Sequence, residues 1–218
     1  MDPISAALAR HYTETFDRHG PTSLGVDWGR DMSRAELRYE KMLAVVRHQA
    51  KHKVSLLDVG CGYGGLFAFA CRRGLQIEYT GIDVCENMIH WGSANFSHCR
   101  FVHGDIVIHS FDEVFDYVVC NGILTQKLNV PVLEMDRFAA RLLRKMFAVC
   151  RHGIAFNVMT TKVNYHANNL YYRNPTELLA WCMNEITPYI RVDHAYPLYE
   201  YTMYLYHSPH VDQPNYAG

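Results

Sequence analysis

A doubly wound α/β fold, with a mostly parallel sheet closed by an antiparallel C-terminal hairpin, is what the sequence predicts. Three observations predict it. Apolar strand-like runs alternate with helix-like runs from residue 54 to residue 160. The first of these, "VSLLDVG" (54–60), is apolar throughout, as expected of a strand buried on both faces. The last two β-rich runs, "YIRVDHAY" and "YEYTMYLYH", stand only "PL" apart, which is too short for a parallel crossover and so requires antiparallel pairing.

The elements follow in order. Residues 1–30, including "HGPTSLGVDWG", are rich in Gly, Pro and Thr and read as irregular. Ser33 and Glu36 form a capping-box pair, and behind them Tyr39, Met42, Leu43 and Val46 give a helical i, i+3, i+4, i+7 stripe. "GLFAFACRR" is helical after the first strand and stops at Gly74. "IEYTGID" (77–83) is the second strand and "CENMIHWGSAN" the helix behind it. "CRFVHGD" and "FDYVVCN" are strands three and four. Residues 131–150 carry Phe138, Leu142, Leu143, Met146, Phe147 and Cys150 on one helical face. "GIAFNVMT" is strand five, and Asn174-Pro175 opens a capped helix.

Bulk properties narrow the function classes. The chain has 218 residues, 49% hydrophobic and 20% charged, with a formal net charge of −1. One domain is expected, 1–218, in which 1–50 would cover a core of 51–218. No global field draws in nucleic acid or acidic membranes, and no apolar run reaches membrane-spanning length. Seven scattered cysteines read as reduced thiols of a cytoplasmic protein. His90, His98, Cys99 and His103 lie close in sequence without a zinc-site spacing, so no metal is expected. Neither a G-x-S-x-G elbow nor a Walker lysine occurs.

The chemistry lies where strands end, since doubly wound sheets bind ligands at their carboxyl ends. In "LDVGCGYGGL" (57–66), Gly60, Gly62 and Gly65 fit G-x-G-x-x-G, a loop that lets backbone approach a ligand at a helix N-terminus. Asp83, about twenty residues on, ends strand two where a carboxylate accepts ribose hydroxyls. That much suits NAD and S-adenosylmethionine equally. Asp105 after strand three can accept from an adenine amino group, Ile106 can pack on the purine, and Asn121 ends strand four. Together with Asp58 ahead of the loop, these favour S-adenosylmethionine.

At this point the sequence resembles the class I S-adenosylmethionine-dependent methyltransferases. "LLDVGCGYGG", "YTGIDVCENMI", "FVHGDI" and "FDYVVCNGIL" are similar to their first four motifs in order and spacing. The closing hairpin resembles their antiparallel sixth and seventh strands, the seventh inserted between five and six of a Rossmann-like seven-stranded sheet. The resemblance implies S-adenosylmethionine as cofactor. Asp58 would orient the methionine ammonium, with Gly60, Cys61 and Gly62 against the methionyl and ribose part. Asp83 would take the ribose hydroxyls; Val84, Asp105 and Ile106 would hold the adenine; Asn121 would line the boundary with the acceptor.

In the N-terminal cover, Trp28 could close over the sulfonium or merely anchor the segment. Arg38 could pair with the methionine carboxylate or lie on a wet helix face. Tyr12, Tyr165, Tyr171 and Tyr199 are acceptor-pocket candidates, and His194 and His166 the candidate general bases. The expected activity is methyl transfer to an O or N nucleophile of a small molecule, by a monomer or homodimer. A protein or RNA methyltransferase and an NAD-dependent oxidoreductase are the rivals. For an adenine-N6 enzyme, Asn121 is followed by Gly-Ile-Leu rather than Pro-Pro-aromatic.

Overall fold

The computed structural model of the chain describes residues 1–47 and 53–209. The 50/51 boundary drawn above therefore lies outside the described residues. The helices are α1 (Pro3–His19), α2 (Met32–Leu43), α3 (Gly65–Arg72), α4 (Glu86–Asn95), α5 (Val132–Ala148) and α6 (Pro175–Glu185). The strands are β1 (Val54–Val59), β2 (Ile77–Asp83), β3 (Arg100–His103), β4 (Phe115–Cys120), β5 (Cys150–Thr160), β6 (Tyr172–Arg173), β7 (Ile190–Asp193) and β8 (Glu200–Tyr206).

One sheet runs β3-β2-β1-β4-β5-β8-β7, with the two-residue β6 beside the far end of β5. The first five strands are parallel; β8 runs antiparallel to β5 and β7 antiparallel to β8. The last strand thus sits between the fifth and the hairpin's first, as the resemblance implies. Sequence order reverses between β1 and β4, which fixes a crevice at their carboxyl ends. One core face is filled by Leu57, Val59, Val118, Leu142, Leu143, Met146 and Phe156. The other holds Met42, Leu56, Leu66, Phe67, Tyr79 and Tyr204. Among the described residues no helix is long and apolar enough to cross a membrane.

Three expectations need correction. Residues 3–19 are helical, not irregular. Asp2 caps α1 by accepting from the Ile4 amide at 2.9 Å, Pro3 occupies the first turn, and Gly20 at φ 63° ends it. The helix buries only Ile4, Ser5, Leu8 and Phe16, so its apolar stripe is thin, and the Gly/Pro-rich stretch begins only after it. The cap of α2 is Asp31 rather than Ser33: its carboxylate accepts from the Ser33 amide at 3.0 Å, while Glu36 pairs with Arg72. The hairpin connection spans residues 194–199 instead of "PL". Asp193 ends β7 by accepting from the Ala195 amide at 3.1 Å, an Asx-type turn that removes "HAY" from the ladder.

Candidate functional site

The crevice above β1, β2 and β4 is a mostly apolar cleft of about 910 Å³ including its mouth. Its floor is the glycine loop. Gly60 and Gly62 stand at φ 73° and 54°, where side chains are strained. A Cβ on Gly60 would meet Ile123 Cδ1 at 2.7 Å, so a glycine at 60 keeps the β1 and β4 loop ends in contact.

Four acidic or amide side chains close the strand ends, each nine-tenths buried or more. Asp83 accepts from the Gly62 amide at 2.7 Å and the Cys85 amide at 2.8 Å, tying the glycine loop to the start of α4. Burial pushes its carboxyl up, opposed by those two amides. Among the described residues Asp58 accepts only the Tyr79 hydroxyl, at 2.8 Å. Its carboxyl is pushed up to about 7, chiefly by burial and further by nearby Asp83, with the Tyr79 hydrogen bond opposing. Asp105 accepts from the Val107 amide at 3.0 Å and from the Asp2 amide at 2.8 Å. Asn121 is 7% exposed, and neither its Oδ1 nor its Nδ2 has a partner among the described residues. Buried polar atoms are nearly always satisfied, so this amide and the thinly solvated Asp58 are complementary to something that enters the cleft.

The N-terminal segment roofs the cleft. Ser5, Leu8 and Tyr12 of α1 and Val26 and Trp28 of the following loop line it. Burial pushes the Tyr12 phenol well above its ordinary value. Asp2 holds α1 down through Asp105 and through an ion pair with Arg141 of α5. Asp27 holds the loop, receiving Gln126 Nε2 at 3.0 Å with His11 Nε2 also 3.0 Å away. Trp28 lies against Tyr39 (centroids 5.5 Å apart) and beneath the Arg38 guanidinium (5.3 Å).

Of the residues singled out in the sequence, Asp58, Gly60, Cys61, Gly62, Asp83, Val84, Asp105, Ile106, Asn121, Trp28 and Tyr12 come together around this cleft. The others do not. Arg38 sits one side chain back, its Nε bonded to buried Glu200 at 2.9 Å, so the carboxylate it meets is the chain's own. Tyr171 is a core residue whose hydroxyl donates to Asp136 at 2.5 Å. Tyr165 and Tyr199 are 76% and 59% exposed. His166 is exposed against Tyr172, and His194, in the hairpin loop, against Tyr201. Neither histidine lines the cleft, which removes both as bases for a reaction inside it.

Sequence reasoning missed Asp2, Ser5, Leu8 and Arg141. The signal was present: Asp-Pro followed by Ile4 and Leu8 is a capped helix start.

The methyltransferase-domain family model matches residues 56–153, the segment from β1 into β5. A Mycobacterium tuberculosis protein named as a methyltransferase, Rv1506c, is 31% identical over 152 residues, 68% of this chain and 90% of its own. The tRNA1(Val) (adenine(37)-N6)-methyltransferase of Vibrio vulnificus is 30% identical over only 76 residues, 32% of each chain. Among solved structures, the magnesium protoporphyrin IX methyltransferase of Synechocystis, determined with bound S-adenosylmethionine, superposes with a TM-score of 0.65. It is 13% identical over 95% of this chain and 99% of its own. By sheet order, strand-end chemistry and relatedness, the chain belongs to the class I S-adenosylmethionine-dependent methyltransferases.

Proposed function

We propose that the cleft binds S-adenosylmethionine along the strand ends and that the protein methylates a small molecule admitted beneath α1 and the loop carrying Trp28. The observation that carries this reading is the roof. The chain's own α1 and Trp28 cover the strand ends, which suits a compact acceptor better than a polymer laid across an open surface. The acceptors for which relatives are named point two ways, to magnesium protoporphyrin IX and to a tRNA. The tRNA enzyme matches only a third of the chain.

The cofactor supplies a methyl group activated by a sulfonium. The chain's residues bind and orient. Asp83 keeps unused lone pairs for ribose hydroxyls while bracing the loop. Asp58 faces the methionine ammonium, a cation that would satisfy a carboxylate whose ionisation burial otherwise resists. Val84 and Ile106 sandwich the adenine, with Asp105 at its edge, and Trp28 closes the methyl side. Holding the two reactants in line supplies much of the rate enhancement expected of such an enzyme.

This reading predicts a pH signature. Asp58 has a raised carboxyl, so its ionised form opposes folding progressively as pH rises from the ordinary carboxylate range through about 7. A bound ammonium reverses that cost. Calorimetric affinity for S-adenosylhomocysteine is therefore expected to rise about tenfold from pH 6 to pH 8, and Asp58→Asn to bind weakly without that rise. A pH-independent wild-type affinity would remove Asp58 from this role.

The roof makes a second prediction. Arg141→Gln removes the ion pair from Asp2 and leaves the start of α1 tied to the strand ends through the Asp2 amide and Asp105. S-adenosylhomocysteine is expected to dissociate about tenfold faster, a loss of about 1.4 kcal/mol, measured by stopped-flow displacement. An unchanged dissociation rate would mean that α1 does not cover the cofactor.

The activity itself is tested by transfer of labelled methyl from S-adenosylmethionine into small-molecule, protein and RNA fractions, alongside competition of S-adenosylhomocysteine with NADH. Label in the small-molecule fraction is the expected result. Label confined to protein or RNA, or tighter binding of NADH, would overturn the proposal.

A further inference from the structure

We propose that Arg38, Glu200 and Asn157 are positioning residues for methyl transfer: together they set the gap between the Trp28 indole and the Gly122 backbone, two walls at the β4 end of the cleft. The inference rests on the cofactor reading above and extends it to residues that touch neither reactant.

The walls lie where the reaction would take place. Sheet order puts the adenosyl contacts, Asp83 and Asp105, on the β2–β3 side and Asn121 and Gly122 on the β4 side. Trp28 and Gly122 both line the cleft, and they are fitted to each other. Gly122 stands at φ 96°, and a Cβ on it would come within 3.1 Å of Trp28 Nε1 and 3.3 Å of Trp28 Cζ2. Each wall is held from behind by a different buried group.

Asn157 holds the first. It is buried on β5, and its Oδ1 accepts from the Gly122 amide at 2.8 Å. Arg38 holds the second, with its guanidinium 5.3 Å from the Trp28 ring centroid. Glu200 joins the two. Its carboxylate oxygens accept from Arg38 Nε at 2.9 and 3.2 Å. Asn157 pairs with Thr202 across β5 and β8, which makes Glu200, two residues earlier, its diagonal neighbour on the same face. The Asn157 side chain accordingly meets that carboxylate: burial pushes the Glu200 carboxyl up, and Arg38 first and then Asn157 oppose it.

Stability alone does not call for this arrangement. A buried ion pair is often no more stabilising than well-packed apolar side chains of similar volume. What it adds is direction. A planar guanidinium stacks on an aromatic face, and a carboxylate held by two partners sets where that plane stands. Arg38 Nη1 is buried with no hydrogen-bond partner among the described residues, so Glu200 and the indole define the orientation of the group. Methyl transfer is sensitive to such placement, since about 1 Å of misalignment costs about 100-fold in rate.

The test uses the full chain labelled with fluorotryptophan. Its three tryptophans are followed by their fluorine resonances, that of Trp28 being assigned by its loss in Trp28→Phe. Two variants are compared with wild type. Arg38→Lys keeps the charge and loses the plane, while Arg38→Met/Glu200→Leu removes both charges at similar volume. Both are expected to fold and to bind S-adenosylhomocysteine within about threefold of wild type by calorimetry, because Asp83 and Asp105 are untouched. In both, the Trp28 resonance alone is expected to move or broaden. Label transferred from tritiated-methyl S-adenosylmethionine into an extract of the source cells, counted over all fractions, is expected to fall about 10- to 100-fold. An ion pair that serves stability alone is satisfied by lysine or by apolar packing and shows neither effect. Wild-type transfer, or an unmoved Trp28 resonance, in either folded variant would overturn the proposal. So would failure of both variants to fold, or loss of S-adenosylhomocysteine affinity in step with transfer, since each makes the pair a support of the whole cleft. A wild-type chain that binds no S-adenosylhomocysteine would instead sink the cofactor reading on which this one rests.

Discussion

Asp83→Ala is expected to weaken S-adenosylhomocysteine binding about 1000-fold, or about 4 kcal/mol. The substitution removes more than a ribose contact. It strips the Gly62 and Cys85 amides of the carboxylate they both bond, at 2.7 and 2.8 Å. Hydrogen bonds to a charged group are worth about 1.5–3 kcal/mol each, and amides left unsatisfied add a desolvation cost. The glycine loop then loses the conformation that brings backbone to the ligand. Calorimetry well below the melting temperature, with circular dichroism to show that the variant is folded, checks the expectation. Asp83→Asn keeps one acceptor oxygen and is expected to fall between the two. Binding within about threefold of wild type in folded Asp83→Ala would place the ribose elsewhere.

Glu200→Ala is expected to cost about 3–5 kcal/mol of stability, because it leaves the Arg38 guanidinium mostly buried beside Trp28 with no counter-charge. The side chains of the pair are 16% and 2% exposed, so solvent screens it little. At about 2–4 °C per kcal/mol for a chain of this size, the melting temperature should drop by roughly 6–20 °C. The double variant Arg38→Met/Glu200→Leu is the control. Removing both charges restores most of the stability if the loss comes from an orphaned ion, and restores none if it comes from a cavity. A drop under about 1 kcal/mol in the single variant, the range of solvent-exposed pairs, would show that the pair is effectively solvated.

The same pair explains why Arg38 was legible only as an alternative. The sequence shows a charged residue on the face of a helix. It cannot show that a glutamate 162 positions later, at the first residue of β8, lies within 2.9 Å. A salt bridge between α2 and the last strand exists only once β8 has been inserted between β5 and β7, and the buried Nη1 exists only because Trp28 then folds over it. His194 shows the same limit from the other side. Its position before an aromatic strand suggested a base at the strand ends, but the Asp193 turn carries it out to the rim.

What the sequence alone determined is the set of features that repeat locally. Buried parallel strands read as apolar runs, the glycine loop as three glycines after one of them, and Asp58, Asp83, Asp105 and Asn121 as polar residues at successive strand ends. All four stand at one cleft because parallel strands in register place equivalent ends side by side, so spacing in sequence becomes position in space. The tertiary structure alone decided what those residues touch. Among the described residues, Asp105 receives the Asp2 amide from 103 positions away, Asp58 is left with one hydroxyl, and the Asn121 side chain with no partner. Those differences come from a roof whose thin apolar stripe gives little local signal and which is fixed by long-range capping, ion pairing and burial. Strand ends are written by periodicity, while the balance of donors and acceptors around a ligand is written by contacts between distant segments.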